Sequence, residues 1–270
     1  MKRILFPIDF STSHDQLVKY AVHMAQDTAA KLVLLPTHSL SGVQHTGTSA
    51  VSVDTLEDGP ERLAELCDEI RSIYHVPTDY LERSGKDEMK NIIQLLNSFD
   101  LLLLGVKQDL LTGELVNGNS IFKILREASC PVLLIPADFN YHKISRILYA
   151  LDPESDHQPP FEKLKNLAQW FNAEVRFLSI VKHYTPSLEQ KMDRDFNTFQ
   201  KEWGMGNISF DYVYYEDVPK CLDHYVKTWL ENDVILFTIH TSSLIESLFH
   251  KSVVKEIASC AAYPILTVHR

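Results

Sequence analysis

The 270-residue sequence predicts two tandem α/β domains, each a parallel sheet covered by helices on both faces, and three observations lead there. Short apolar runs alternate with stretches whose apolar residues recur at helical spacing. The run from Asp100 to Pro131 returns as Asp233 to Pro264, 133 positions later and without a gap. The helix before it keeps that offset, since Met89, Ile92, Ile93 and Leu96 return as Leu222, Tyr225, Val226 and Trp229. Chance rarely preserves a helical stripe together with its distance from the next strand, so the chain reads as an internal duplication.

In the first half, Arg3 to Ile8 is an apolar strand, and Leu17, Ala21, Met24 and Ala25 mark a helix running to about Thr28. Lys31 to Leu35 is the second strand. A polar stretch from Ser39 to about Asp58 precedes a helix from about Pro60 to Tyr74, where proline suits the first turn. The third strand, Thr78 to Glu82, leads to the helix Met89 to Leu96 and the fourth strand, Leu101 to Leu104. A last helix carries Ile121, Ile124, Leu125 and Ala128, and Val132 to Ile135 is the fifth strand. The second half repeats the order with strands Ile147 to Leu151, Val175 to Val181 and Ile208 to Tyr214. Its first helix carries Leu164, Leu167, Ala168 and Phe171, and its second runs from about Ser187 to Trp203. The first strands lie 143 apart, Asp9 against Asp152, so the second copy is about ten residues shorter, mostly opposite Ser39 to Asp58. Domains of residues 1–138 and 139–270 follow, and the join from Ala137 to Lys143 is too short for a free linker.

A net charge of -10 argues against a protein that grips nucleic acid or anionic membranes through a general basic surface. Met1-Lys2-Arg3 enters the first strand without the apolar core of a signal peptide, and no run reaches the roughly 20 apolar residues of a membrane span. A cytoplasmic location is expected. Cys67, Cys130, Cys221 and Cys260 show no CxxC spacing and read as buried small residues.

Open parallel sheets bind ligands beyond the carboxyl ends of their strands, where the strand order reverses. With the order 3-2-1-4-5 that crevice lies between strands one and four, which end in Pro7-Ile8-Asp9 and Leu104-Gly105. Gly118 follows thirteen residues after Gly105 at the start of the last helix, where unpaired N–H groups and the helix dipole favour phosphate. Each residue also has a plainer reading. Asp9, with Ser11, Thr12 and Ser13, can cap the next helix, and the two glycines can serve a strand-end turn and a helix start with no ligand.

The segments Ile4-Leu5-Phe6-Pro7-Ile8-Asp9-Phe10-Ser11 and Ala128-Ser129-Cys130-Pro131-Val132-Leu133-Leu134-Ile135-Pro136, with the spacing Gly105 to Gly118, resemble a universal stress protein. The resemblance covers the chain twice and implies the fused two-domain form, with the adenine nucleotide alpha hydrolase-like fold in each half. It also implies an ATP or other adenine-nucleotide crevice lined by Pro7, Ile8, Asp9, Thr37, Leu104, Gly105, Gln108, Gly118, Asn119 and Ser120. In nucleotide-binding members the strand-one Asp holds the adenosine end, and a Gly-x2-Gly-x9-Gly-Ser/Thr loop wraps the ribose and phosphates. Here Gln108 replaces the middle glycine, where a side chain costs about 1 kcal/mol or more, or fills space outright. Asn119 stands where a hydroxyl is wanted, with Ser120 beside it. The second half keeps Asp152 but carries Thr238, Thr241, Lys251 and Ser252 at the loop positions, with no loop glycine. Lys251, beside His250, can hold an anion or fill the phosphate space, and the loss of every loop glycine favours a polar plug.

No Gly-x-Ser-x-Gly elbow, Walker loop or Gly-x-Gly-x-x-Gly follows a strand, so an enzyme is not expected, and slow ATP hydrolysis would lack a general base. No pair among the twelve histidines has ligand spacing beside a Cys or carboxylate set, so no metal is expected. The expected function is regulatory or protective binding in a stress response, with a degenerate nucleotide site in the first half and a lost one in the second. The alternative is a scaffold that recognises a protein or another small anion. The final strands, Val132 to Ile135 and Ile265 to Val268, each apolar and preceded by proline, are expected to pair the halves as an intrachain pseudo-dimer, as single-domain members of the family pair.

Overall fold

The computed structural model describes residues 1–8, 14–37, 59–82, 88–106, 120–151, 158–181, 183, 185–204, 208–216, 220–221, 224–225, 227, 234–239 and 262–269. The chain divides into two compact units, Met1–Tyr141 and His142–Arg270. In the first, β1 (Arg3–Ile8), β2 (Lys31–Pro36), β3 (Thr78–Tyr80), β4 (Leu101–Val106) and β5 (Val132–Pro136) run parallel in the order β3-β2-β1-β4-β5. Its helices among the described residues are α1 (His14–Asp27), α2 (Gly59–Tyr74), α3 (Glu88–Leu95) and α4 (Ser120–Glu127). The second unit repeats the winding as β8-β7-β6-β9-β10, from β6 (Arg146–Leu151), β7 (Glu174–Val181), β8 (Ser209–Tyr214), β9 (Val234–Ile239) and β10 (Ile265–His269). Among the described residues its longer helices are α5 (Phe161–Phe171) and α6 (Pro186–Trp203). No helix among the described residues is long and apolar enough to cross a membrane.

The central strands are apolar throughout because helices cover both faces of a parallel sheet. Ile4, Leu5, Leu101, Leu102, Leu103 and Val132 to Ile135 are sealed from solvent, as are Ile147, Leu148, Leu236 and Leu266. The duplication extends to the pairing register. Ile4 faces Leu101 and Leu102 faces Val132, while Ile147 faces Val234 and Ile235 faces Ile265, the same partners at the offsets seen in the sequence. The second core is richer in rings: Phe177 lies 5.2 Å from Phe199 and 6.0 Å from Phe210, with Trp203 edge-on at 6.4 Å.

Where the elements depart from the sequence reading, backbone pairing explains the difference. Strand β4 runs on to Val106, because Gly105 and Val106 still pair with Ile135 and Pro136. Strand β3 stops at Tyr80, although the Leu81 N–H still donates to the Leu34 carbonyl at 2.9 Å. Helix α3 tightens after Leu95 into a 3-10 turn, Leu96–Ser98, that keeps Leu96 buried. Asp100 then ties β4 to β1: its carboxylate accepts from Lys2 Nζ at 2.9 Å and from the Arg3 N–H at 2.8 Å. Burial pushes that carboxyl up, but these hydrogen bonds and the Lys2 charge outweigh it and hold it below its ordinary range.

The ends of α1 and α5 are built alike but filled differently. Ala29 and Asn172, 143 apart, both take the left-handed conformation, at φ 49° and 52°. Each is followed by an N–H that returns to the helix, Ala30 to Ala25 at 3.0 Å and Ala173 to Ala168 at 2.8 Å. A β-carbon is unfavourable at such a position, and asparagine tolerates it better than alanine. Ala29→Asn, which copies the second unit, is therefore expected to stabilise the first unit by about 1 kcal/mol. Urea denaturation checks this, and an unchanged or lower midpoint would contradict it.

Candidate functional site

The first sheet reverses direction between β1, whose other neighbour is β2, and β4, whose other neighbour is β5. In open sheets of this order, crossovers leave the two central strands to opposite sides and ligands bind beyond their carboxyl ends. The carboxyl ends of β1, β2 and β4 carry five of the sequence-predicted residues: Pro7, Ile8, Thr37, Leu104 and Gly105. Pro7 and Ile8 pair with Leu35 and Pro36. The Ile8 carbonyl accepts from the Thr37 N–H at 2.8 Å and from its hydroxyl at 3.4 Å, so buried Thr37 seals the end of the β1–β2 ladder. Asp9, Gln108, Gly118 and Asn119 lie outside the described residues, and so do Asp152, Thr241, Lys251 and Ser252. Ser120 opens α4, with its side chain also outside them.

Gly105 has a role that neither sequence reading anticipated. It lies inside β4 rather than in a strand-end turn, and a β-carbon built on it would stand 2.1 Å from Leu17 Cδ1. The bare main chain leaves room for the end of the Leu17 side chain, while Gly105 itself stays exposed.

The second unit solves the same junction another way. At the offsets of the duplication, Phe6, Leu17 and Gly105 correspond to Tyr149, Pro160 and Thr238. Helix α5 begins at Phe161, with Pro160 as its N-cap, whereas α1 already begins at His14. Leu17 thus has no counterpart on α5, and Thr238 carries a side chain where Gly105 has none. Its hydroxyl shares a 2.6 Å hydrogen bond with the Tyr149 hydroxyl, joining β9 to β6 where the sheet reverses. Reading positions 6, 17 and 105 against 149, 160 and 238 together was the available signal for this exchange.

Cys67, Cys130 and Cys221 are buried, and burial pushes the Cys67 thiol up to about 11 and that of Cys130 to about 12, which disfavours the reactive thiolate. Among the described residues no three His, Cys, Asp or Glu side chains are grouped to hold a metal ion.

Residues 1–136 match the model of the universal stress protein family. The chain belongs to that family. Among solved structures, a universal stress protein from Archaeoglobus fulgidus superposes with a TM-score of 0.71 at 13% identity, covering 99% of this chain and 98% of its own. A Pseudomonas aeruginosa protein assigned to the universal stress proteins gives 0.61 at 15% identity, over 100% of this chain and 93% of its own. The cytoplasmic domain of a prokaryotic cation chloride cotransporter gives 0.52 at 12% identity, over 98% of this chain and 94% of its own. At such identities the likeness is one of fold, and the cotransporter domain illustrates that this fold serves more than one purpose. No curated protein matches the sequence.

The Leu17–Gly105 contact yields a stability test. Gly105→Thr, which imports the second unit's residue, must move the end of the Leu17 side chain beside an exposed position and is expected to cost about 1 kcal/mol. Leu17→Ala should recover at least about 0.5 kcal/mol of that in a double-mutant cycle followed by chemical denaturation. Additive losses would show that the two positions do not compete for one space.

Proposed function

We propose that this chain is a cytoplasmic, non-catalytic universal stress protein whose first unit binds an adenine nucleotide and whose second unit is its structural partner. The observation that carries the reading is the family match over residues 1–136, in a unit that keeps a glycine at the crevice wall. Asp9 would hold the adenosine end, Gly105 and Gly118 would let the backbone approach the ligand, and Ser120 would supply the hydroxyl missing at Asn119. Gln108, in place of the middle glycine, makes the site a weak one. In the second unit, the Thr238–Tyr149 bond and the lack of loop glycines argue against a ligand. The sequence carries no Gly-x-Ser-x-Gly elbow, Walker loop or Gly-x-Gly-x-x-Gly, which supports a reading in which binding changes the protein's state and not a substrate.

Titrating ATP calorimetrically into the wild type and into Gly118→Lys, which copies Lys251 of the second half, tests the assignment. Binding by the wild type and its loss in the variant is expected. Equal binding by both would move the site elsewhere. Binding by neither would leave the scaffold reading, which the Leu17 side chain lying against Gly105 favours.

The final strands of the two halves, apolar and each entered through a proline, supply a pairing edge for an intrachain pseudo-dimer. Residues 1–138 and 139–270 co-expressed as separate chains are expected to co-purify as a heterodimer. Two soluble, independent monomers would refute that arrangement.

A further inference from the structure

Among the described strands, β8 alone has no buried residue; everything from Ser209 to Tyr214 keeps contact with solvent. It stands at the end of the second unit's strand order and pairs with β7. The Tyr215 N–H donates to the Val181 carbonyl at 3.0 Å, and in a parallel ladder alternate residues turn their backbone groups to the same neighbour. Those of Asp211 and Val213 therefore face β7, and those of Phe210, Tyr212 and Tyr214 face away from it. The strand, Ser-Phe-Asp-Tyr-Val-Tyr, is aromatic and β-branched, holds no proline and carries one charge. That charge is answered within the unit, because the Tyr225 hydroxyl donates to the Asp211 carboxylate and Arg176 lies 3.6 Å from it. The strand at the same place in the first unit, β3, is blunted by shortness and charge, two devices that keep edges from pairing. It is three residues long, and its exposed Asp79 is held by Lys31 and, at 3.4 Å, by Arg71.

We propose that β8 is an interface for a second copy of this chain, the two β8 strands pairing antiparallel about a two-fold axis at Tyr212. Antiparallel strands exchange pairs of backbone hydrogen bonds between residues whose N–H and C=O groups face each other. With such groups at 210, 212 and 214, a register centred on Tyr212 sets this residue against its own copy and Phe210 against Tyr214 of the second copy. Aromatic pairs facing each other across strands are favourable. The same register sets Asp211 opposite Val213. Centred one residue earlier, it would set Asp211 against Asp211, and like charges directly opposite oppose pairing. Centred one residue later, it would bring Glu216 into the aromatic row against Phe210. The edge is thus complementary to itself in one register, which is the argument for a second copy as its occupant. Tyr214 and Tyr215, 49% and 50% exposed, lie where the paired ends would cover them. An isologous contact of this kind closes at two copies. It uses neither the crevices nor the final strands, β5 and β10.

Full-length wild type, Tyr214→Lys, Tyr212→Pro and the control Ile73→Lys, all checked for fold by circular dichroism, are compared by sedimentation velocity over a concentration series. Lysine at 214 puts a charge opposite Phe210 of the second copy. Proline at 212 removes an N–H that faces away from β7, so the bonds to β7 stay in place. Ile73, exposed on α2 of the first unit, lies on a different surface. The wild type is expected to dimerise, and Tyr214→Lys and Tyr212→Pro to raise the dissociation constant at least about tenfold, since each lost contact counts twice in the dimer. Ile73→Lys should leave it unchanged. Should Tyr212→Pro fail to fold, Tyr214→Lys decides alone. Amide exchange over residues 209–215 should slow as wild type is concentrated, and exchange over 78–80 should not. A wild type that stays monomeric across the series overturns the proposal. So does a dimer that Tyr214→Lys leaves intact, one that Ile73→Lys weakens as much, or one whose exchange over 209–215 ignores concentration.

Discussion

The side-by-side pairing of β1 and β4 is the constraint on which each unit is built. Sequence neighbours β1 and β2 pair, then the chain returns past β1 to lay down β4 on its other flank, with Ile4 facing Leu101. In sheets of this order that return sets the ligand position at the carboxyl ends of the two strands, and the Asp100 bonds to Lys2 and Arg3 tie the opposite end of the pair. The second unit repeats the pairing with Ile147 facing Val234. At this junction the units differ in how it is lined and tied, not in how the strands pair.

The exchange of Phe6, Leu17 and Gly105 for Tyr149, Pro160 and Thr238 shows how one junction can be closed by two kinds of force. The first relies on close apolar contact between a helix and a bare main chain, which any neighbour of the right shape can displace. The second relies on a directional bond between two hydroxyls, one of them buried, which resists displacement because leaving either hydroxyl without a partner there is costly. A duplicated protein can in this way keep one changeable copy and one fixed copy without altering its sheet.

Much of the architecture was legible in the sequence because parallel strands advertise themselves as unbroken apolar runs, and a repeat fixes their partners. The offsets of 133 and 143, read from Asp100 against Asp233 and Asp9 against Asp152, turned out to be the offsets of the pairing register. The crevice was legible only in outline. Gly105 carries the same letter whether it serves a ligand, a turn or a leucine from a neighbouring helix, and only the position of Leu17 separates these. The bond between Gln16 and Asn140 was invisible for a different reason: the two stand 124 residues apart, both are ordinary polar residues, and nothing local marks them as partners. The run past Leu104 into Gly105 and Val106 was missed because ladder bonds belong to the backbone, which does not need an apolar side chain to continue.

The ring-rich core of the second unit has an optical consequence. Trp170, Trp203 and Trp229 are the chain's three tryptophans, and all belong to residues 142–270. Indole emission excited at the red edge therefore reports on one half of the molecule alone, while the first half is seen only through its tyrosines. An unfolding curve read from that emission describes the second unit and is blind to loss of the first. The difference between that curve and one read from backbone dichroism isolates the first unit's melting without any label being added.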